Sequence, residues 1–264
     1  MALPLEAKPT SPTFNTGHAQ YSGLVRCVLF HEGTGSPVEL IGSGTGTLET
    51  GATWTTDTDM GLNTVTCGTG DDKVNFGDAG LSHGNGDCTV YLGLRAPTVA
   101  ALYHTPWQLG GTGIEKLACG VTDNGDWYFV LNDVVEYAYT TTTDPTPGNI
   151  YTVGFAYDRL VDVRCYAYNQ TSSTLETNHA LTAGGTPGTG GTACYIGNHQ
   201  GLASGWGEEI SFCYMWNRVL ATSEFDVLNA DPWAFFSDGA PTTLQAWHKQ
   251  KGGRPRPFAP GNAR

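Results

Sequence analysis

The chain has 264 residues, including 36 glycines, 14 prolines and 35 threonines, and only 14% of it is charged. Thr suits half-buried strands and Gly and Pro suit tight turns, so this composition argues against a helical bundle or coiled coil, while 39% apolar residues argue against disorder. The formal charge of −12 disfavours nucleic acid as a partner, and without a long apolar run no membrane span is predicted.

Residues 1–20 read as an extended N-terminal arm, because Pro4, Pro9 and Pro12 forbid helix. The segment has no apolar core and is not expected to be a signal peptide. Short strand-like runs follow, bounded by turn chemistry. They are Leu24–Phe30, Thr64–Thr66, Val74–Phe76, Cys88–Arg95, Ala100–Tyr103, Glu115–Val121, Trp127–Leu131, Val134–Tyr139, Tyr151–Tyr157, Val161–Tyr168, Ala193–Ile196 and Glu209–Trp216. Asp123-Asn124-Gly125-Asp126 is a strong hairpin signal, since Asn-Gly supplies the positive φ that tight hairpins need. One helix is expected after Leu220, capped by Thr222 or Ser223, with acids in its first turn and Pro232 at its end. The seven cysteines show no Cys-x-x-Cys spacing and mostly sit in strand-like sequence, which predicts buried free thiols.

After Phe236 the composition changes. Residues 237–264 carry five basic side chains against Asp238 alone, a charge of +4, so the remaining 236 residues carry −16. The expected organisation is an arm at 1–20, an all-β body at 21–236 and an extended basic tail at 237–264.

The segment Gly207-Glu208-Glu209-Ile210 to Trp216, followed by Asn217-Arg218-Val219-Leu220 and Ser223-Glu224-Phe225, resembles the closing motif of concanavalin A-like (laminin G-like) jelly-roll domains. Leu24–Phe30, Asp71–Phe76 and Asn149–Phe155 with Val161–Tyr168 are similar to other parts of that family, and together the resemblance covers roughly residues 21–236. It implies a two-sheet antiparallel jelly-roll sandwich. The ending Asn229-Ala230-Asp231-Pro232-Trp233-Ala234-Phe235-Phe236 is similar to bacteriophage structural proteins of this superfamily.

Glycosidases of that superfamily carry a Glu-x-Asp-x-x-Glu strand that aims two carboxylates into one cleft. Here the only Glu-x-Asp is Glu224-Phe225-Asp226, on the expected helix, and the adjacent Glu208 and Glu209 point to opposite faces of a strand. No catalytic residue is therefore assigned, and the expectation is that the chain is not an enzyme. The histidines form no metal-like cluster, and no metal site or cofactor is assigned. Calcium would find its oxygen ligands at acid-bearing turns: Asp57 and Asp59, Asp71 and Asp72, or Asp123 and Asp126.

Three functions are weighed, the last of them an unusual glycosidase, which would need two carboxyls facing each other across a cleft. The first is a virion protein assembled in the host cytoplasm, most specifically a capsid decoration protein. It would form homo-oligomers and hold the major capsid protein through Lys249, Lys251, Arg254, Arg256 and Phe258 of the stiff tail. The alternative is a carbohydrate-binding module of a receptor-binding fibre or lectin-like protein. It needs an exposed aromatic beside polar groups, for which Trp107, Trp127 next to Asp126, Trp206 and the turn residues Asp123 and Asn124 are the candidates.

Overall fold

The computed structural model describes residues 8–9, 11–42, 44–68, 70–77, 87–98, 103–111, 114–131, 135–139, 144–158, 160–182, 193–198 and 205–236. Within them the chain forms β1 (Leu24–Val28), β2 (Glu39–Ile41), β3 (Thr47–Glu49), β4 (Thr53–Asp57), β5 (Leu62–Thr66), β6 (Lys73–Asn75), β7 (Cys88–Arg95), β8 (His104–Gly111) and β9 (Ile114–Val121). It continues with β10 (Trp127–Leu131), β11 (Val135–Tyr139), β12 (Ile150–Tyr157), β13 (Asp162–Asn169), β14 (Thr174–Thr182), β15 (Cys194–Ile196), β16 (Glu209–Trp216) and α1 (Thr222–Ala230).

Two antiparallel sheets face each other. The first runs β14-β13-β12-β7-β16-β1-β2, with β5 also pairing β16 and β4 pairing β5. The second runs β11-β10-β9-β8-β15-β6-β3. This is the all-β sandwich that the sequence predicts. Period-two alternation builds the inter-sheet core: Cys88, Val90, Leu92 and Leu94 of β7 meet Trp107 and Leu109 of β8, Leu117, Cys119 and Val121 of β9, and Trp127 and Phe129 of β10.

The first sheet is covered on its other face as well, so all eight residues of β12 are buried. There Tyr91, Tyr166, Phe212, Tyr214 and Trp216 pack beneath Phe225 and Leu228 of α1 and beneath Trp233, Phe235 and Phe236 just after it. Gly93 and Gly154 make this possible: a Cβ on Gly93 would lie 2.3 Å from the Phe212 ring, and one on Gly154 would lie 2.2 Å from the Phe225 ring. Phe14 of the N-terminal segment bridges to Phe236, and Lys8 is buried, donating to the carbonyls of Phe30 (3.2 Å) and Asn63 (2.5 Å). The described part of the arm is thus packed on the body.

Helix α1 begins differently from the expectation. Its N-cap is Ala221, and Glu224 reaches back to accept the Ala221 N–H at 3.0 Å while both its oxygens bind Arg218. Thr222 instead accepts a hydrogen bond from Arg164. All seven cysteines are buried, and burial pushes the thiols of Cys27, Cys119, Cys165 and Cys213 well above the ordinary range.

Candidate functional site

The strand registers bring one set of connections to a single end of the sandwich. In the second sheet, Glu49 ends β3 opposite Lys73 at the start of β6, and His104 opens β8 opposite Val121, which in turn faces Trp127 at the start of β10. In the first sheet, Asn169 ends β13 opposite Tyr151, Leu94 of β7 pairs with both Tyr151 and Ile210, and Thr66 ends β5 opposite Glu209. The β3–β4, β5–β6, β7–β8, β9–β10, β11–β12, β13–β14 and β15–β16 connections therefore all emerge here.

A strand irregularity shapes the rim. The register slips between His104 and Trp107, and Pro106 sits in that bulge, where a residue without an N–H does no harm. Opposite stands Gly120, whose Cβ would be 1.9 Å from the His104 carbonyl oxygen. The bulge turns Thr105 toward Tyr128, and their hydroxyls share a hydrogen bond. Tyr103, just ahead of β8, packs its ring edge-on to Tyr128 at 5.3 Å and remains 40% exposed. Because Leu117 and Cys119 face the core, Ala118 and Gly120 face away from it, between Gln108 on one side and Tyr128 on the other, and all four are buried there. Tyr195 and Asn75 continue the row that starts at Gln108.

The turn Thr122–Asp126 projects from the same end. The Thr122 hydroxyl accepts the N–H groups of Asn124 and Asp126, and Gly125 takes φ +89°. Asp123 and Asn124 are exposed at its tip. Between the sheets, the Tyr151 hydroxyl donates to Glu176 at 2.9 Å and Asn169 donates to the same carboxylate at 2.8 Å. Burial first, and then Glu176, push the Tyr151 phenol up to about 12.

The sequence candidates divide. Asp123 and Asn124 lie on this exposed end, but Trp107 and Trp206 do not form a platform. Trp107 is 1% exposed, its side chain alternating into the core from β8. Trp206 is fully buried: Gly205 approaches Gly68 so closely that a Cβ would lie 1.9 Å from its carbonyl, and the indole turns inward to stack on Trp127 and donate to the Arg95 carbonyl at 2.9 Å. Trp127 is buried too. Lys249, Lys251, Arg254, Arg256 and Phe258 lie outside the described residues. Tyr103 was missed as a site residue because its run, Ala100–Tyr103, reads as an ordinary strand. The strand instead starts at His104, and Ala100–Leu102 lie outside the described residues.

Two of the acids considered for calcium have other partners. Asp57 pairs with Arg95, and Asp72 accepts the N–H groups of Gly51 (2.8 Å) and Gly68 (3.1 Å), stapling two connections together. Among the described residues no three His, Cys, Asp or Glu side chains converge as metal ligands.

No family model matches the sequence, and no curated protein matches it either. Solved structures do match in fold. A Trypanosoma rangeli sialidase in complex with the inhibitor DANA is 14% identical, with a TM-score of 0.56 over 79% of this chain and 33% of that one. Domain 4 of AbnA, a GH43 extracellular arabinanase from Geobacillus stearothermophilus in complex with arabinotriose, is 13% identical, with a TM-score of 0.58 over 78% of this chain and 98% of that one. The receptor binding domain of botulinum neurotoxin D is 9% identical, with a TM-score of 0.57 over 79% of this chain and 52% of that one. The chain spans about a third of the sialidase's length. These identities establish a shared β-sandwich fold. They also correct the expectation that the chain is not an enzyme: the sialidase and the arabinanase are enzymes, so this sandwich is found inside catalytic chains and a missing glycosidase strand motif does not exclude one.

Proposed function

We propose that this chain is a carbohydrate-binding β-sandwich domain that takes glycan at the end of the sandwich carrying Tyr103. The observation that carries the reading is the exposed Tyr103 ring, braced edge-on by the buried Tyr128, with the exposed Asp123–Asn124 tip at the same end. A sugar ring presents one apolar face and a rim of hydroxyls, so it needs an aromatic platform and nearby hydrogen-bonding groups together. The fold neighbours support the reading, since an arabinanase domain holding arabinotriose and a toxin receptor-binding domain share the sandwich.

The virion reading has weaker support. The three neighbours above are not phage proteins, and the basic tail on which that reading relied lies outside the described residues. The test is a glycan array followed by calorimetric titration of the hits with wild type and Tyr103→Ala. The expected result is a saturable glycan ligand whose affinity falls about tenfold or more in the variant, the loss of one aromatic anchor. An array with no ligand, or a variant that binds as wild type does, overturns the proposal.

A further inference from the structure

The N-terminal segment is fastened to the body at three places, and they are unequal. Next to β1, the Trp216 indole donates to the Gln20 carbonyl at 2.6 Å and Arg218 donates to the Ser22 carbonyl at 2.8 Å. In the middle, the Asn15 N–H donates to the Phe235 carbonyl at 2.9 Å and the Phe14 ring stacks on Phe236 at 5.0 Å. At the far end the Lys8 amine is buried on the Phe30 and Asn63 carbonyls. Between these points most side chains from Ser11 to Ala19 are exposed.

The socket for Lys8 is built by the body. Phe30, fully buried two residues past β1, is held at φ +48°, a region that bulky side chains rarely adopt. Asn63 of β5 donates its side-chain N–H to the His31 carbonyl at 2.7 Å, and a Cβ on Gly33 would lie 2.8 Å from the same amide. Among the described residues no carboxylate pairs with the amine. The charge that reaches it is that of Glu32, whose Oε1 instead accepts the Val38 N–H at 2.9 Å and lies 3.7 Å from Nδ1 of His31. β5 brings no titratable side chain. An ammonium seated on two carbonyls without a counter-ion is costly to bury.

We propose that Lys8, Pro9 and residues 11–22 form a strap that opens from its Lys8 end while the sandwich stays folded, and that the charge on Lys8 sets how tightly the strap is shut. Burial, opposed by Glu32, pushes the Lys8 amine down to about 7. A neutral amine keeps two N–H groups, enough for the two carbonyls. From about pH 7 up to the ordinary lysine range the docked strap therefore holds fewer protons than the released one, so opening takes up a proton. Docking strengthens as pH rises through that window and levels off below it.

The experiment is hydrogen exchange of the full chain, read by mass spectrometry on peptides covering residues 11–22 and β12, with rates corrected for their intrinsic pH dependence. The expected result is that residues 11–22 exchange well before β12, and that their protection rises at least about tenfold from about pH 7 to about pH 9. Lys8→Met keeps an apolar stem and cannot titrate, so its 11–22 peptide should be equally protected at both pH values. That variant retains His18, whose charge reaches Asp231 at the other end of the strap, and so separates the two groups. A segment that exchanges only together with β12 overturns the strap. Protection that is the same at both pH values in wild type, or that rises as much in Lys8→Met, overturns the role given to Lys8.

Discussion

On the outward face of the first sheet, Tyr91, Phe212, Tyr214, Trp216 and Phe225 stack into a second apolar layer sealed by α1 and by Trp233 and Phe235. The corresponding positions of the second sheet are Gln108, Ala118, Gly120, Tyr128 and Tyr195, a mix of small, polar and hydroxyl-bearing residues. Both sheets give their inner faces to one core, so the division of labour lies in the outer faces. One is sealed by the helix and its aromatic tail; on the other these positions are buried as well, and Tyr103, Asp123 and Asn124 meet solvent at its loop end.

The largest expected effect tests the sealed face. Phe225 lies stacked on Tyr166 at 5.1 Å and against Tyr91 at 6.1 Å, fully buried. Phe225→Ala should lower the unfolding free energy by about 3–5 kcal/mol, measured by urea denaturation, because a ring-sized cavity opens under a short helix that cannot collapse into it. A loss below about 1 kcal/mol would mean that α1 merely rests on the sheet. Gly154→Ala attacks the same contact from below. The added methyl meets the Phe225 ring, and overpacking should cost about 1–3 kcal/mol.

These glycines show where sequence reading stops. The alternation of β7 and β16 is legible, and both strands are found where they are predicted, Cys88–Arg95 and Glu209–Trp216. β8 is not legible, because Pro106 and the glycines at 110 and 111 look like loop until the bulge opposite Gly120 is seen. β4 and β14 are also missed: polar, Thr-rich sequence hides them, and pairing with β5 and β13 decides their state. The aromatic platform was sought among tryptophans because they are the largest rings, yet size is what drew Trp107, Trp127 and Trp206 into the core, leaving the smaller Tyr103 at the surface.

A smaller effect probes how the helix is anchored. Hydrogen bonds from Arg218, first, and the N–H of Ala221 hold the Glu224 carboxyl below the usual glutamate range. A carboxylate lowered on folding stabilises the native state above its unfolded pKa, and that contribution disappears as pH falls through the folded value. Glu224→Gln should therefore cost about 1 kcal/mol near neutrality and nearly nothing at acidic pH, where the wild-type side chain is protonated too. Two denaturation curves per protein, one at pH 7 and one well below pH 4, check the sign. A variant penalty that grows in acid would refute the anchoring role.

The smallest expected effect on stability falls on the polar side and separates the two regions. Tyr103 is 40% exposed, so Tyr103→Ala should shift the unfolding free energy by no more than about 0.5–1 kcal/mol. If that change also removes glycan binding, the residue contributes to recognition and little to the fold, the reverse of Phe225. A large loss of stability would instead make Tyr103 part of the packing that orders the loop end, and any loss of binding would then be a secondary result of unfolding there. Thermal melting of the variant beside its binding isotherm distinguishes the two, because only a recognition residue loses affinity while its melting curve stays in place.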